Sequence, residues 1–135
     1  MGERHLREYY LPTFKTAVDA GAKTVMINSG ELNGIPVHAD DFVLKTLLRD
    51  ELGFEGLAVT DWEDIMKLYN IHHVAKDNRE AVKMSINAGI DMSMVPNDYE
   101  FTEDLIDLVN AGEVPMSRID EAVSRILQLK VDLGL

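Results

Sequence analysis

The sequence predicts an α/β fold in which short parallel strands alternate with helices. Glycines at 21, 53 and 89 each follow an amphipathic helical stretch and precede a short apolar run with a polar end. They stand 32 and 36 residues apart, close to the length of one strand-and-helix unit. After the third unit come two more helical stretches rather than another strand, so the expected sheet has three strands with flanking helices.

Each unit has its own local reasons. In the first, Phe14, Ala17 and Val18 belong to a helix, Gly21 ends it, and Lys23-Thr24-Val25-Met26-Ile27-Asn28 forms the strand. Pro12 opens that helix at its first turn and leaves a short separate helix around Leu6 to Tyr10. Asn33-Gly34, followed by Pro36, reads as a turn after the strand.

In the second unit Val43, Leu44, Leu47, Leu48 and Leu52 share one helical face, Gly53 stops the helix, and Gly56-Leu57-Ala58-Val59-Thr60 is the strand. In the third, Asp77 and Glu80 have the spacing of a capping pair, and Ala81, Val82 and Ile86 form the apolar face. Gly89 then leads into Ile90-Asp91-Met92-Ser93-Met94. Ser117 is expected to cap the last helix, with Ile119, Val123 and Ile126 as its buried stripe. Met26, Met84, Met92 and Met94 read as core filling.

Composition narrows the function classes. The chain has 135 residues, 46% of them apolar and 27% charged, as expected of one folded domain. The net charge is -11 and the thirteen Lys and Arg are scattered, so no basic stripe is available to follow a nucleic-acid backbone. No apolar run is long enough to span a bilayer, and the first residues lack the apolar core of a signal peptide, so a soluble chain without a membrane partner is expected. The absence of cysteine fits any compartment, and localisation is not written in the sequence.

If the strands are parallel, their carboxyl ends lie on one edge, where ligands bind in such sheets. That edge gathers Asn28, Ser29, Thr60, Asp61, Trp62 and Ser93. Thr60-Asp61-Trp62 sets a carboxylate beside a large aromatic where an apolar strand stops. A carboxylate in that place is a helix cap, a solvated loop residue or a nucleophile toward an anomeric carbon, and an indole offers an apolar face to the C–H groups of a sugar. Asp91 needs a donor if buried, which fits a structural hydrogen bond or the rim of a pocket. His38 reads as structural, and His72-His73 as a loop or helix-start pair, since adjacent side chains diverge and no further ligands stand at metal-binding spacing. No metal or other cofactor is expected.

Several stretches together resemble glycoside hydrolase family 3. They are Leu6-Arg7-Glu8-Tyr9-Tyr10-Leu11-Pro12-Thr13-Phe14, Val25-Met26-Ile27-Asn28, Asn33-Gly34-Ile35-Pro36-Val37-His38-Ala39, Leu48-Arg49-Asp50-Glu51-Leu52-Gly53-Phe54-Glu55-Gly56 through Asp61-Trp62, and Asn87-Ala88-Gly89-Ile90-Asp91-Met92. The resemblance runs in order over nearly the whole chain. It implies parallel βα units forming half of a TIM-type barrel, residues 1–135 being a single half-barrel domain that holds barrel strands six to eight. It also implies a retaining exo-β-glucosidase type of activity on β-glucosides or oligosaccharides, with Asp61 at the nucleophile position. Trp62, Ser29 and Ser93 are the substrate-binding candidates.

By the same comparison the acid/base and the family's substrate-binding Lys-His pair and Arg lie outside this chain, so it is expected to be inactive alone. Many members carry a Tyr where this sequence has Ser29, which alters how Asp61 is oriented and gives nearby Glu31 a different setting. Full-length members are often periplasmic or secreted.

Two other readings compete. One is a structural half-barrel, natural or engineered, with no catalytic role. Three parallel strands leave exposed edges and an uncovered face, so self-association or a complementary barrel half is expected under either reading. The other is a phosphate- or nucleotide-binding domain, which would need a glycine-rich loop opening a helix. The loops Ser29-Gly30-Glu31-Leu32-Asn33-Gly34, Asp61-Trp62-Glu63-Asp64 and Pro96-Asn97-Asp98 carry carboxylates instead.

Overall fold

The computed structural model describes residues 1–97 and 99–135; Asp98, in the third of those loops, lies outside the described residues. Three strands form the parallel sheet: β1 (Thr24–Met26), β4 (Leu57–Trp62) and β5 (Met92–Met94), in the order β1-β4-β5. Between β1 and β4 sits a small antiparallel hairpin of β2 (Glu31–Leu32) and β3 (Ile35–Pro36). Its turn residues Asn33 and Gly34 both have positive φ, 54° and 84°, as a two-residue hairpin turn requires.

The amino-terminal helix is not split at Pro12. Helix α1 (Glu3–His5) passes into a π-helical segment, Leu6–Tyr10, and then into α2 (Leu11–Asp19) without leaving helical backbone. The Leu11 N–H donates to the Leu6 carbonyl, five residues back. This wider turn comes just before Pro12, which has no N–H and whose ring crowds the preceding turn, so the helix expands there instead of breaking. A second π-helix, Phe42–Glu51, buries Leu44, Leu47 and Leu48.

The helix-ending glycines behave as expected. Gly89 has φ 129°, and the N–H groups of Gly89 and Ile90 both reach the Ser85 carbonyl, closing α4 (Asn78–Ala88) and releasing the chain into β5. At the other end of α4 the Asp77 side chain accepts from the Glu80 N–H at 2.8 Å, and Glu80 returns a carboxylate oxygen to the Lys76 N–H at 2.7 Å. Two elements depart from expectation. Helix α3 (Asp64–Asn70), for which the sequence offered no element, starts at the last residue of the Asp61–Asp64 loop, its Ile65 and Leu68 buried one turn apart. Helix α6 (Met116–Asp132), which follows α5 (Glu100–Asn110), starts at Pro115 without a side-chain cap, so Ser117 lies inside it. Its buried positions are Arg118 and Ala122; of the expected stripe, Ile119 packs against the core, Ile126 is half-buried and Val123 is exposed.

The core lies on one side of the sheet. Ala58 and Thr60 of β4 are fully buried, and Ile27, Leu44, Leu48, Ile65, Leu68, Val82, Ile86, Ile90 and Leu108 pack around them. Each fully buried aliphatic side chain contributes about 1.5–3 kcal/mol. The opposite face is open. Met26, Val59 and Met92 are in register across the three strands, yet Met26 is 54% and Met92 45% exposed, contrary to the core-filling expectation. Met84 does pack against the core.

On the amino-terminal side of β5, Asp91 ties three elements together. Its carboxylate accepts from Arg49 at 2.8 Å, Arg118 at 2.8 Å, Arg125 at 2.9 Å and the Ala58 N–H at 3.0 Å. Asp91 is structural and sits at the end of the strand away from the ligand edge.

Two predictions arise here. A Cβ on Gly56 would fall 2.2 Å from the Lys23 carbonyl oxygen, where the two strands begin to pair. Gly56→Ala is therefore expected to lower the urea-unfolding free energy by about 3 kcal/mol, the upper end of ordinary overpacking. The second concerns Glu113, which bonds Lys83 and Arg79 of α4 at 2.7 and 2.8 Å. Those two hydrogen bonds pull its pKa from 4.5 down to about 2. A depressed carboxylate stabilises the fold above its unfolded pKa and loses that contribution as pH falls through the folded one. The urea midpoint of Glu113→Gln should thus vary less than wild type between pH 4.5 and about 2.

Candidate active site

The parallel order brings the ends of β1, β4 and β5 to one edge, with β4 in the middle. The strand does not stop at Thr60: it continues through Asp61 to Trp62, which pairs with Met94. Three residue steps of β4, Val59 to Trp62, oppose two of β5, Met92 to Met94. Such a bulge bends a strand and re-aims its side chains. Asp61 falls inside it and is exposed, with one carboxylate oxygen accepting from the Trp62 N–H at 2.7 Å. Trp62 beside it is 53% exposed. Thr60 Oγ1 fixes the bulge from below, accepting from the Met94 N–H at 2.9 Å and donating to the Asp61 carbonyl at 2.8 Å.

The chain turns sharply after Trp62. Glu63 is left-handed, φ 57°, a conformation a residue with a Cβ rarely adopts. It is held by its N–H on the Met94 carbonyl at 3.0 Å and by Asn97, whose Nδ2 donates to Oε1 at 3.0 Å. That turn drives Asp64 into the interior, where it is 2% exposed.

Asp64 was not singled out by the sequence, and it is the best-connected group of this edge. One oxygen accepts from Ser29 Oγ at 2.6 Å, the other pairs with Lys67, and His38 Nε2 stands 3.5 Å away. Burial pushes the Asp64 pKa up, but the hydrogen bonds from Lys67 and Ser29 outweigh it and hold the group below the usual carboxylate range. His38 is held below its ordinary value, chiefly by burial, with Asp64 acting against it and Lys67 with it. His38 Nε2 is buried with no hydrogen-bond partner among the described residues.

The remaining candidates separate. Ser29 is at the edge, but its hydroxyl is committed to Asp64. Ser93 is half-buried, and its Oγ has no hydrogen-bond partner among the described residues. His72 Nδ1 meets Glu31 at 2.8 Å while His73 Nδ1 meets the Tyr69 carbonyl at 3.0 Å, so the adjacent histidines do diverge. Among the described residues no group of three His, Asp or Glu could hold a metal, and no helix is long and apolar enough to cross a membrane. Chemically, the edge presents an accessible carboxylate and an open indole face on a rigid central strand.

Residues 1–129 match the glycosyl hydrolase family 3 N terminal domain. The chain belongs to this family. It is 55% identical over 134 residues to the lysosomal beta glucosidase of Dictyostelium discoideum, covering 98% of this chain and 16% of that protein. It is 42% identical to a beta-xylosidase of Formosa agariphila, covering the whole of this chain and 20% of the relative. Among solved structures, the beta-glucosidase from Listeria innocua in complex with glucose superposes with a TM-score of 0.93 at 35% identity, over all of this chain and 18% of that one. The chain therefore spans a fifth or less of the length of these family 3 relatives. The α/β fold with its three parallel strands is that of family 3 β-glucosidases.

Proposed function

We propose that this chain is the second half of the catalytic barrel of a retaining β-glucosidase-type enzyme, with Asp61 as its covalent nucleophile. The observation that carries the reading is the exposed Asp61–Trp62 pair on the bulged end of the central strand, in a chain of family 3. Asp61 attacks the anomeric carbon, the bond to the leaving oxygen breaks, and an acid from outside this chain protonates that oxygen. Water, deprotonated by the same group as base, then opens the glycosyl ester and frees Asp61. Trp62 stacks on the sugar, and Ser29 and Ser93 flank the subsite. The two carboxyl groups and water complete the cycle, so the reaction calls for no cofactor. The relatives' names include both glucosidases and a xylosidase, and a β-glucoside is the substrate class we assign.

The half-barrel reading rests on the one-sided sheet. In a closed barrel of about 250 residues the inner faces of eight strands pack on one another, and the Met26–Val59–Met92 row, with both methionines exposed and Val59 half-buried, is suited to such an interior. Alone, the chain covers that row by self-association or with a complementary half, and it turns over no substrate. Sedimentation at rising concentration should show dimers or larger species; a folded monomer throughout would contradict this.

The catalytic reading is tested in a chimera of the Dictyostelium discoideum lysosomal beta glucosidase with the segment matching this chain replaced by residues 1–135. Incubation with an activated 2-deoxy-2-fluoro-glucoside should add one fluoroglucosyl group, mapped to Asp61. A folded, active chimera labelled at a different carboxylate would overturn the assignment.

A further inference from the structure

Asp64 is buried three residues beyond Asp61, and no part of the displacement chemistry above uses it. It accepts the Ser29 hydroxyl at 2.6 Å from the loop after β1, pairs with Lys67 one turn along α3, and faces His38 Nε2 at 3.5 Å from the turn Val37–Ala39. Asp64 and His38 are each 2% exposed. A carboxylate this deep that accepts from two neighbours has few orientations open to it.

Between Asp64 and the Asp61–Trp62 pair lies a single residue, Glu63, held at φ 57°. Backbone in that region persists only where its surroundings over-determine it. Its restraints are the hydrogen bonds to Met94 and Asn97 on the β5 side, and the burial of Asp64 on the α3 side.

We propose that Asp64 is a positioning residue: by tying the β1 loop and α3 to one buried carboxylate packed beside His38, it fixes the left-handed step at Glu63 and so the direction of Asp61 and Trp62. This inference rests on the nucleophile reading of Asp61. Ser29 contributes to it as the donor that holds Asp64 from the neighbouring strand. A positioning group of this kind acts on the reacting geometry, where a displacement of about 1 Å costs on the order of 100-fold in rate.

The single tryptophan makes the proposal measurable without turnover, because Trp62 sits between Asp61 and Glu63. In Asp64→Asn and in Ser29→Ala, acrylamide quenching of Trp62 in the folded chain should rise and its anisotropy fall, while far-ultraviolet circular dichroism is retained. The same substitutions in the chimera should lower kcat, by about 100-fold for Asp64→Asn and about 5- to 10-fold for Ser29→Ala, with KM within about threefold of wild type. A merely stabilising role would lower the melting temperature and leave native-state quenching and kcat alone. Ser29→Ala removes one donor only and serves should Asp64→Asn not fold. Folded variants with wild-type Trp62 quenching and wild-type kcat overturn the positioning role. Failure of the nucleophile reading looks different: Asp61→Asn would keep its activity in the chimera while the Trp62 response to Asp64→Asn remained.

Discussion

Replacing Asp91 with alanine is expected to destabilise the chain by about 3–5 kcal/mol, the cost of stripping one partner from a buried ionic cluster. Three guanidinium groups converge on that carboxylate from the π-helix Phe42–Glu51 and from α6. Arg49 and Arg118 also donate to the carbonyls of Phe54, Gly56, Ile86 and Ile90, so they cannot swing out to solvent without giving up those hydrogen bonds. Without Asp91 the cations face one another: burial, and then Arg125, already lower the Arg49 pKa with the carboxylate present. Against a typical total of about 5–15 kcal/mol, this loss is a large share of the stability. Urea unfolding followed by circular dichroism measures it, and a change under about 1 kcal/mol would mean the cluster does not hold α6 to the sheet. Arg125→Met, which leaves Asp91 two arginines and the Ala58 N–H, should cost clearly less.

Features set by a few consecutive residues were legible: the glycines at 21, 53 and 89, the Asp77–Glu80 cap, and the Asn33-Gly34 turn each follow from local backbone chemistry. The strand edge was legible as well, because parallel units place Ser29, Asp61 and Ser93 at like ends. What depends on partners distant in sequence was not. The arginines around Asp91 stand 42, 27 and 34 residues from it, and a rule that places apolar residues inward found Ile119, which packs against the core, but chose the exposed Val123 and missed the buried Arg118 and Ala122. A trace existed in Arg118, Ala122 and Arg125, which share a helical face. Asp64 was hidden for a similar reason. A short acidic stretch reads as solvated loop until the bulge and the left-handed Glu63 turn it inward.

Asp61→Asn in the chimera is expected to produce the largest functional effect, a loss of kcat on the order of 10⁴-fold or more, in line with removal of a covalent nucleophile. The substitution keeps the shape of the side chain and can still accept the Trp62 N–H, so the fold and KM should be little changed. The loss should fall on glycosyl transfer to the enzyme, the step in which the carboxylate oxygen forms the new bond. Asp61→Gly removes the side chain altogether, and azide supplied to that variant should restore part of the rate and give a glycosyl azide of inverted configuration, since a small anion can enter where the carboxylate oxygen attacked.

The measurement that bears most directly on the central claim is this kinetic comparison of wild-type, Asp61→Asn and Asp61→Gly chimeras, the last with azide, on one activated aryl β-glucoside. The account predicts an active wild type, both variants slowed by about 10⁴-fold or more, and azide rescue of Asp61→Gly to the inverted product. A folded Asp61→Asn chimera within about tenfold of wild type, with no azide product from Asp61→Gly, would contradict it and leave this segment as scaffold for a nucleophile located elsewhere.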